Sequence, residues 1–174
     1  MAGNKYLTVN NTTGNAKEVE ALQSSAGAAD AGKIPSLGTD GRISETMMPT
    51  GVGADVTVLA ASENLAAGDY VNIWNDAGTA KVRKADASTT KPADGFVKDA
   101  VTSGADATVY HEGGNDQHTG LTPGSRYFLS ATTPGGVVLA TSLPTASGSI
   151  VQFIGKATSD TTINIEAAAP IERA

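Results

Sequence analysis

The stretch Gly120-Leu121-Thr122-Pro123-Gly124-Ser125-Arg126-Tyr127-Phe128-Leu129-Ser130-Ala131-Thr132-Thr133-Pro134-Gly135-Gly136-Val137-Val138-Leu139-Ala140 reads as a turn, a strand, a second turn and a return strand. Pro123 presets φ for the turn that ends at Gly124, and Pro134-Gly135-Gly136 supplies the positive φ values of a tight reversal. Between the turns, Tyr127 and Leu129 alternate with Arg126, Phe128 and Ser130, the period of two expected of a strand. The hairpin carries no catalytic group, so it organises a fold before it suggests a reaction.

The same pattern extends outward on both sides. Residues 70–74 and 79–84 form a second hairpin around Asn75-Asp76-Ala77-Gly78, and residues 56–60, 96–101, 107–112, 149–154 and 161–167 read as further short strands. Gly155 and Thr158-Ser159-Asp160 separate the last two. About eight or nine strands with frequent turn signals predict an all-β body, a small antiparallel β-barrel or sandwich, over residues 55–174. No βαβ unit and no internal repeat is visible.

Residues 1–54 read differently, as an extended N-terminal arm. It holds one short alternating piece, Tyr6-Leu7-Thr8-Val9, suited to adding a strand to a sheet edge of this chain or a neighbour. Asn15 is placed to cap a short helix over residues 16–23, which at this length is marginal alone. Residues 24–32 form a small-residue linker. Beyond it, Ile34, Leu37 and Ile43 flank an Asp40-Gly41 turn signal, and Met47 and Met48 follow. These five apolar residues need a surface to cover, which makes them the candidate partner contacts.

Composition narrows the function. The 174 residues carry a formal net charge of −6 and a pI near 4.8, which repels phosphate backbones and argues against nucleic-acid binding. The densest positive stretch, Lys81, Arg83 and Lys84, reads as a solvated strand face. Without cysteine there is no disulfide framework and no thiolate chemistry. No apolar run reaches the length of a membrane span, and the N-terminus lacks a secretory pattern, so the expected product is soluble and made in a cytoplasm.

Reactive groups are sparse. His111 and His118 lie near Glu112 and Asp116, but their spacing matches no metal-ligand motif, and the intervening Gly113-Gly114-Asn115 suggests a solvated loop. Glu63, Asp69, Asp76, Asp94, Asp99, Asp106 and Glu112 mostly sit in turn contexts, where acidic side chains bond nearby backbone. Neither a Gly-x-Ser-x-Gly elbow nor a P-loop is present. Trp74, Tyr70 and Tyr110 are read as packing groups rather than base-stacking platforms. The expectation is a non-enzyme with no catalytic residue, no cofactor and no metal.

Several stretches carry a family resemblance. Asp30-Ala31-Gly32-Lys33-Ile34-Pro35-Ser36-Leu37-Gly38-Thr39-Asp40-Gly41-Arg42-Ile43 and Met47-Met48-Pro49-Thr50-Gly51-Val52-Gly53-Ala54-Asp55 resemble the arm of tailed-bacteriophage virion proteins. In the body, Leu65-Ala66-Ala67-Gly68-Asp69-Tyr70-Val71-Asn72-Ile73, Lys81-Val82-Arg83-Lys84-Ala85-Asp86, Lys91-Pro92-Ala93-Asp94-Gly95-Phe96-Val97 and Gly120-Leu121-Thr122-Pro123-Gly124 are similar to the same group, the capsid decoration (cement) proteins. The resemblance spans most of residues 28–167 and rests on turns and strands. It implies a virion structural protein on the outer capsid surface that binds the major capsid protein as a homotrimer, with an arm reaching over capsid subunits. Related modules occur in tail fibres, so a tail-fibre or baseplate component, or a receptor- or carbohydrate-binding module, is the alternative.

Overall fold

The computed structural model describes residues 4–48, 53 and 55–174, and the chain divides into two compact units, Met1–Gly53 and Ala54–Ala174. Of the arm residues quoted above, Pro49, Thr50, Gly51, Val52 and Ala54 lie outside the described residues.

The first unit is built on a hairpin of β1 (Lys5–Val9) and β2 (Ala16–Glu20), in register from Lys5 opposite Glu20 to Val9 opposite Ala16. This corrects the helix expected over residues 16–23. Asn10 closes a tight turn by accepting the Thr12 N–H at 2.9 Å on its side chain and the Gly14 N–H at 2.8 Å on its carbonyl. Once that turn forms, Tyr6 meets Val19 across the ladder and Lys5 bonds Glu18 at 2.9 Å. A helix of two turns has no comparable tertiary support. After β2, residues 34–36 run beside Leu22, whose N–H donates to Ile34 O at 2.9 Å while its carbonyl accepts the Ser36 N–H at 2.7 Å. Two single-turn 3-10 segments follow, Ala28–Asp30 and Glu45–Met47. None of residues 4–44 and 46–48 is buried.

The second unit contains β3 (Val56–Ala60), β4 (Tyr70–Asp76), β5 (Thr79–Lys84), β6 (Gly95–Val97), β7 (Asp106–Tyr110), β8 (Gly114–Asn115), β9 (Arg126–Leu129), β10 (Val137–Leu139), β11 (Ile150–Val151), β12 (Phe153–Ala157), β13 (Ile163–Ile165) and β14 (Ile171–Glu172). They form a five-stranded sheet ordered β3-β7-β6-β4-β5, a second ordered β10-β9-β12-β13-β8, and the pair β11-β14. Every pairing of these strands is antiparallel, and no sheet closes into a barrel.

Sequence explains both clear hairpins. The β9–β10 reversal pairs Leu129 with Val137 and Tyr127 with Leu139, while Tyr127 and Leu129 point into the core. In β4–β5 the two-residue loop is Ala77-Gly78, with φ of 51° and 94°. Positive φ at both central positions matches the right-handed twist of the flanking strands.

Strand alternation gives two main cores, and a third, smaller cluster gathers Leu121, Tyr127, Ala157 and Ile163. Tyr70 and Phe96 of the first sheet pack with Leu129, Ile154 and Ile165 of the second, and Ile150, Ala85, Ala87 and Ala93 fill the remaining space. On the opposite face of the first sheet, Val71, Val82, Val97 and Val109 are covered by Ala61 and Leu65. A parallel bridge between Ala61 and Val82, with the Ser62 N–H donating to Val82 O at 2.8 Å, curls the end of β3 toward β5. The contact stops there, leaving the β3 edge open at Val56 and Val58, which are 41% and 58% exposed.

Two local readings change. Gly155 is inside β12, beside a bulge, and does not end a strand. The Gly113-Gly114-Asn115 segment is not a wholly solvated loop: β8 pairs with β13, and fully buried Asn115 donates from Nδ2 to Gly68 O at 2.8 Å.

Candidate functional site

The chain's exposed apolar side chains concentrate in the first unit. Backbone bonds hold the main chain there while the side chains remain outside. Ile34 is tied by its carbonyl to Leu22, yet is 50% exposed. Leu37 accepts a bond from Gln23 Nε2 at 3.2 Å and is 54% exposed. Its neighbour Gly38 begins a turn closed by the Gly38 N–H donating to Arg42 O at 2.8 Å and by the Arg42 N–H donating to Asp40 Oδ1 at 3.1 Å. That turn presents Ile43 to solvent.

Met47 and Met48 diverge. Met47 is partly covered and lines a cavity of about 210 Å³ with Leu22, Ser25, Asp30, Lys33 and Pro35, whereas Met48 is exposed. Asp30 organises the rim by accepting the Ala26 N–H at 2.6 Å and Lys33 Nζ at 2.7 Å, and these two bonds hold its carboxyl below the usual carboxylate range. Leu7 and Val9, in the piece expected to add a strand to a sheet edge but not among the expected partner contacts, are also exposed. Their alternation in Tyr6-Leu7-Thr8-Val9 was visible, but two exposed faces were not.

In the second unit, several of the polar groups that could suggest chemistry are occupied by the fold, while Asp99 and Asp106 line a cavity of about 310 Å³ with Val101 and Thr108. His111 makes contacts from both ring nitrogens, Nδ1 to Asp94 O at 3.0 Å and Nε2 to Thr57 Oγ1 at 2.9 Å. His118 instead stacks on Tyr70, with ring centroids 5.8 Å apart. The two histidines therefore serve different places, and no group of three or more His, Asp or Glu side chains among the described residues is arranged to hold a metal.

Some of the carboxylates behave similarly. Asp69 accepts the Ala66 N–H at 2.7 Å and lies 3.2 Å from Lys84 Nζ. Asp94 accepts the Ile73 N–H at 2.7 Å and Asn72 Nδ2 at 3.1 Å. Glu63 accepts the Lys84 N–H at 2.9 Å. Trp74 donates from Nε1 to Ser62 at 3.2 Å and lies under the Arg83 guanidinium at 4.6 Å. A groove of about 450 Å³ runs past Asp94, His111 and Gln152, but Gln152 is committed to clamping Ala93 through both its backbone N–H and its carbonyl.

Among the described residues, no helix is long and apolar enough to cross a membrane. Compared with protein-family models, curated proteins and solved structures, the chain matches none.

Proposed function

We propose that this chain is a bacteriophage virion structural protein, a capsid decoration or cement protein that binds the major capsid protein on the outer shell and strengthens the shell against internal DNA pressure. Its work is mechanical and uses no catalytic group, cofactor or metal. The observation that carries the reading is the first unit, whose described residues include no buried side chain while Ile34, Leu37, Ile43 and Met48 stand exposed. A segment so poor in internal burial gains stability by covering a partner, and the partner's assembled form is favoured by mass action. The stretches quoted from residues 30–55 supply the family likeness.

In this reading residues 1–54 act as an extended arm over capsid subunits. The β body is a platform that gathers three copies, so that weak contacts multiply into durable attachment.

Binding of the full chain to shells stripped of it tests the arm. Fully burying a Leu or Ile contributes about 1.5–3 kcal/mol, and Leu37 and Ile43 are already about half covered, so Leu37→Ser with Ile43→Ser is expected to weaken binding by roughly 10- to 100-fold while the body's circular dichroism is unchanged. Undiminished binding would refute the arm's role. Quantitative mass spectrometry of purified particles checks the location, since a copy number that scales with the shell's subunits belongs to a capsid protein and a fixed small number to a tail.

A further inference from the structure

Among the described residues, β1 pairs only with β2, and its outer edge is uncharged at its centre. The Ala21 N–H donates to Asn4 O and the Asn10 N–H to Asn15 O, so the even-numbered residues of β1 face β2. The backbone groups of Lys5, Leu7 and Val9 therefore point away, and their N–H groups donate to none of the described residues. Leu7 and Val9 are 74% and 62% exposed on the same face. A lone two-stranded hairpin is marginal in water, and a third or fourth strand is the usual remedy.

Charge and cover distinguish the two edges. Residues 34–36 already occupy the end of the β2 edge beside Leu22. The rest of that edge carries Glu18 and Glu20, which would oppose like charges in any symmetric pairing. The β1 edge has neither obstacle. Lys5 is balanced within its own hairpin by Glu18, leaving Leu7-Thr8-Val9 free of charge.

We propose that β1 pairs with β1 of a second copy, antiparallel and centred on Leu7, to form a four-stranded sheet ordered β2-β1-β1-β2. Only the odd-numbered residues face outward, so the register that uses all of them sets Lys5 opposite the second copy's Val9 and Leu7 opposite its equivalent. Each such pair exchanges both backbone hydrogen bonds. No like charges meet across the new seam, and Leu7 and Val9 of both copies form an apolar strip on a face whose outer strands carry Ala16, Glu18 and Glu20. The pairing is isologous and closes on itself, so it joins copies two at a time and does not propagate as a fibre. It goes beyond the capsid reading, because two-fold hooks between arms would link neighbouring assemblies whether or not they sit on a shell.

The absence of cysteine makes the test clean. Directly opposed residues of a hydrogen-bonded antiparallel pair have Cα atoms about 5.5 Å apart, within the span of a disulfide. Full-length Leu7→Cys is expected to form disulfide-linked dimers under mild oxidation roughly ten-fold faster than Glu18→Cys, which sits on the far strand. A mixture of Lys5→Cys and Val9→Cys chains is expected to link mainly with each other and not with themselves. Linkage of Leu7→Cys no faster than Glu18→Cys, or random linkage in the mixture, overturns the proposal; an edge reserved for a strand of a different protein gives the first of these results. Because the assay uses purified chain without shells, its failure leaves the capsid-binding measurement independent.

Discussion

His118 lies nearly parallel to the Tyr70 ring, at an interplanar angle of 15°, with Nε2 3.4 Å from the phenol oxygen. Burial acts on the two partners in opposite directions, lowering the pKa of His118 and raising that of Tyr70, because in each case the charged form loses water. For His118 the unfolded chain titrates near 6.5 and the folded chain lower. Between those values the unfolded state binds the extra proton, so stability falls as pH drops below 6.5 and levels off once the folded-state pKa is passed. Above 6.5 this group contributes no pH dependence. His118→Phe keeps a ring against Tyr70 and removes the proton; urea midpoints measured at about pH 7.5 and about pH 5 are expected to differ less in the variant than in the parent chain. An equal difference would show that other groups set the acid sensitivity. Nothing in the residues between His111 and His118 announces this separation. It arises because Asn115 is drawn inward to Gly68, turning the chain so that the two rings face different strands.

Strands with turn chemistry at both ends were legible, and strands defined by their partners were not. The β9–β10 hairpin follows from Pro123-Gly124 and Pro134-Gly135-Gly136, and β4–β5 from Asn75-Asp76-Ala77-Gly78. By contrast, β2 has the composition of a short helix and becomes a strand only because β1 is opposite it. Gly155 looked like punctuation for the same reason, since its role depends on a neighbour remote from local pattern. A Cβ at Gly155 would run into the carbonyl of Asn164 and the Ile163 side chain across the β12–β13 ladder. Gly155→Ala is therefore expected to destabilise the body by about 2 kcal/mol or more, as overpacking in a sheet core does. Chemical denaturation reads this directly, and a change below about 0.5 kcal/mol would mean that β13 moves away from β12 at Gly155 without cost.

On the scale of the molecule, the two units differ in what holds them. The second unit has inter-sheet and single-sheet cores in which Tyr70, Val71, Phe96, Val109, Leu129 and Ile154 are fully buried. The described part of the first has backbone ladders and turns without a buried side chain. Amide protection follows core burial, because local opening needs least energy where little apolar surface is uncovered. In full chain diluted until it is monomeric, hydrogen exchange is expected to be complete in β1 and β2 while amides in β4, β7 and β12 remain protected, and equal protection in both would overturn that hierarchy. Composition revealed an all-β body because alternation and turns are local. It could not reveal how far a sheet curls, since the Ala61–Val82 bridge joins residues whose individual sequence contexts say nothing of each other.

The short β11–β14 pair has a mechanical consequence. Gly148 and Ser149 exchange bonds with Arg173, and Ile171 lies opposite Val151, so the tail is laid antiparallel along the start of β11. Tension applied to the chain beyond Arg173 and across the ladder loads these bonds one after another, as a zipper does, rather than all together in shear. The next bonds inward along the tail join the Ala168 N–H to Phe153 O at 3.0 Å and the Glu166 N–H to Ile154 O at 2.8 Å, where Ile154 and the neighbouring Ile165 belong to the inter-sheet core. The tail would thus yield at low force, and resistance would climb once the pull reached Glu166, giving the body a sacrificial outer clasp.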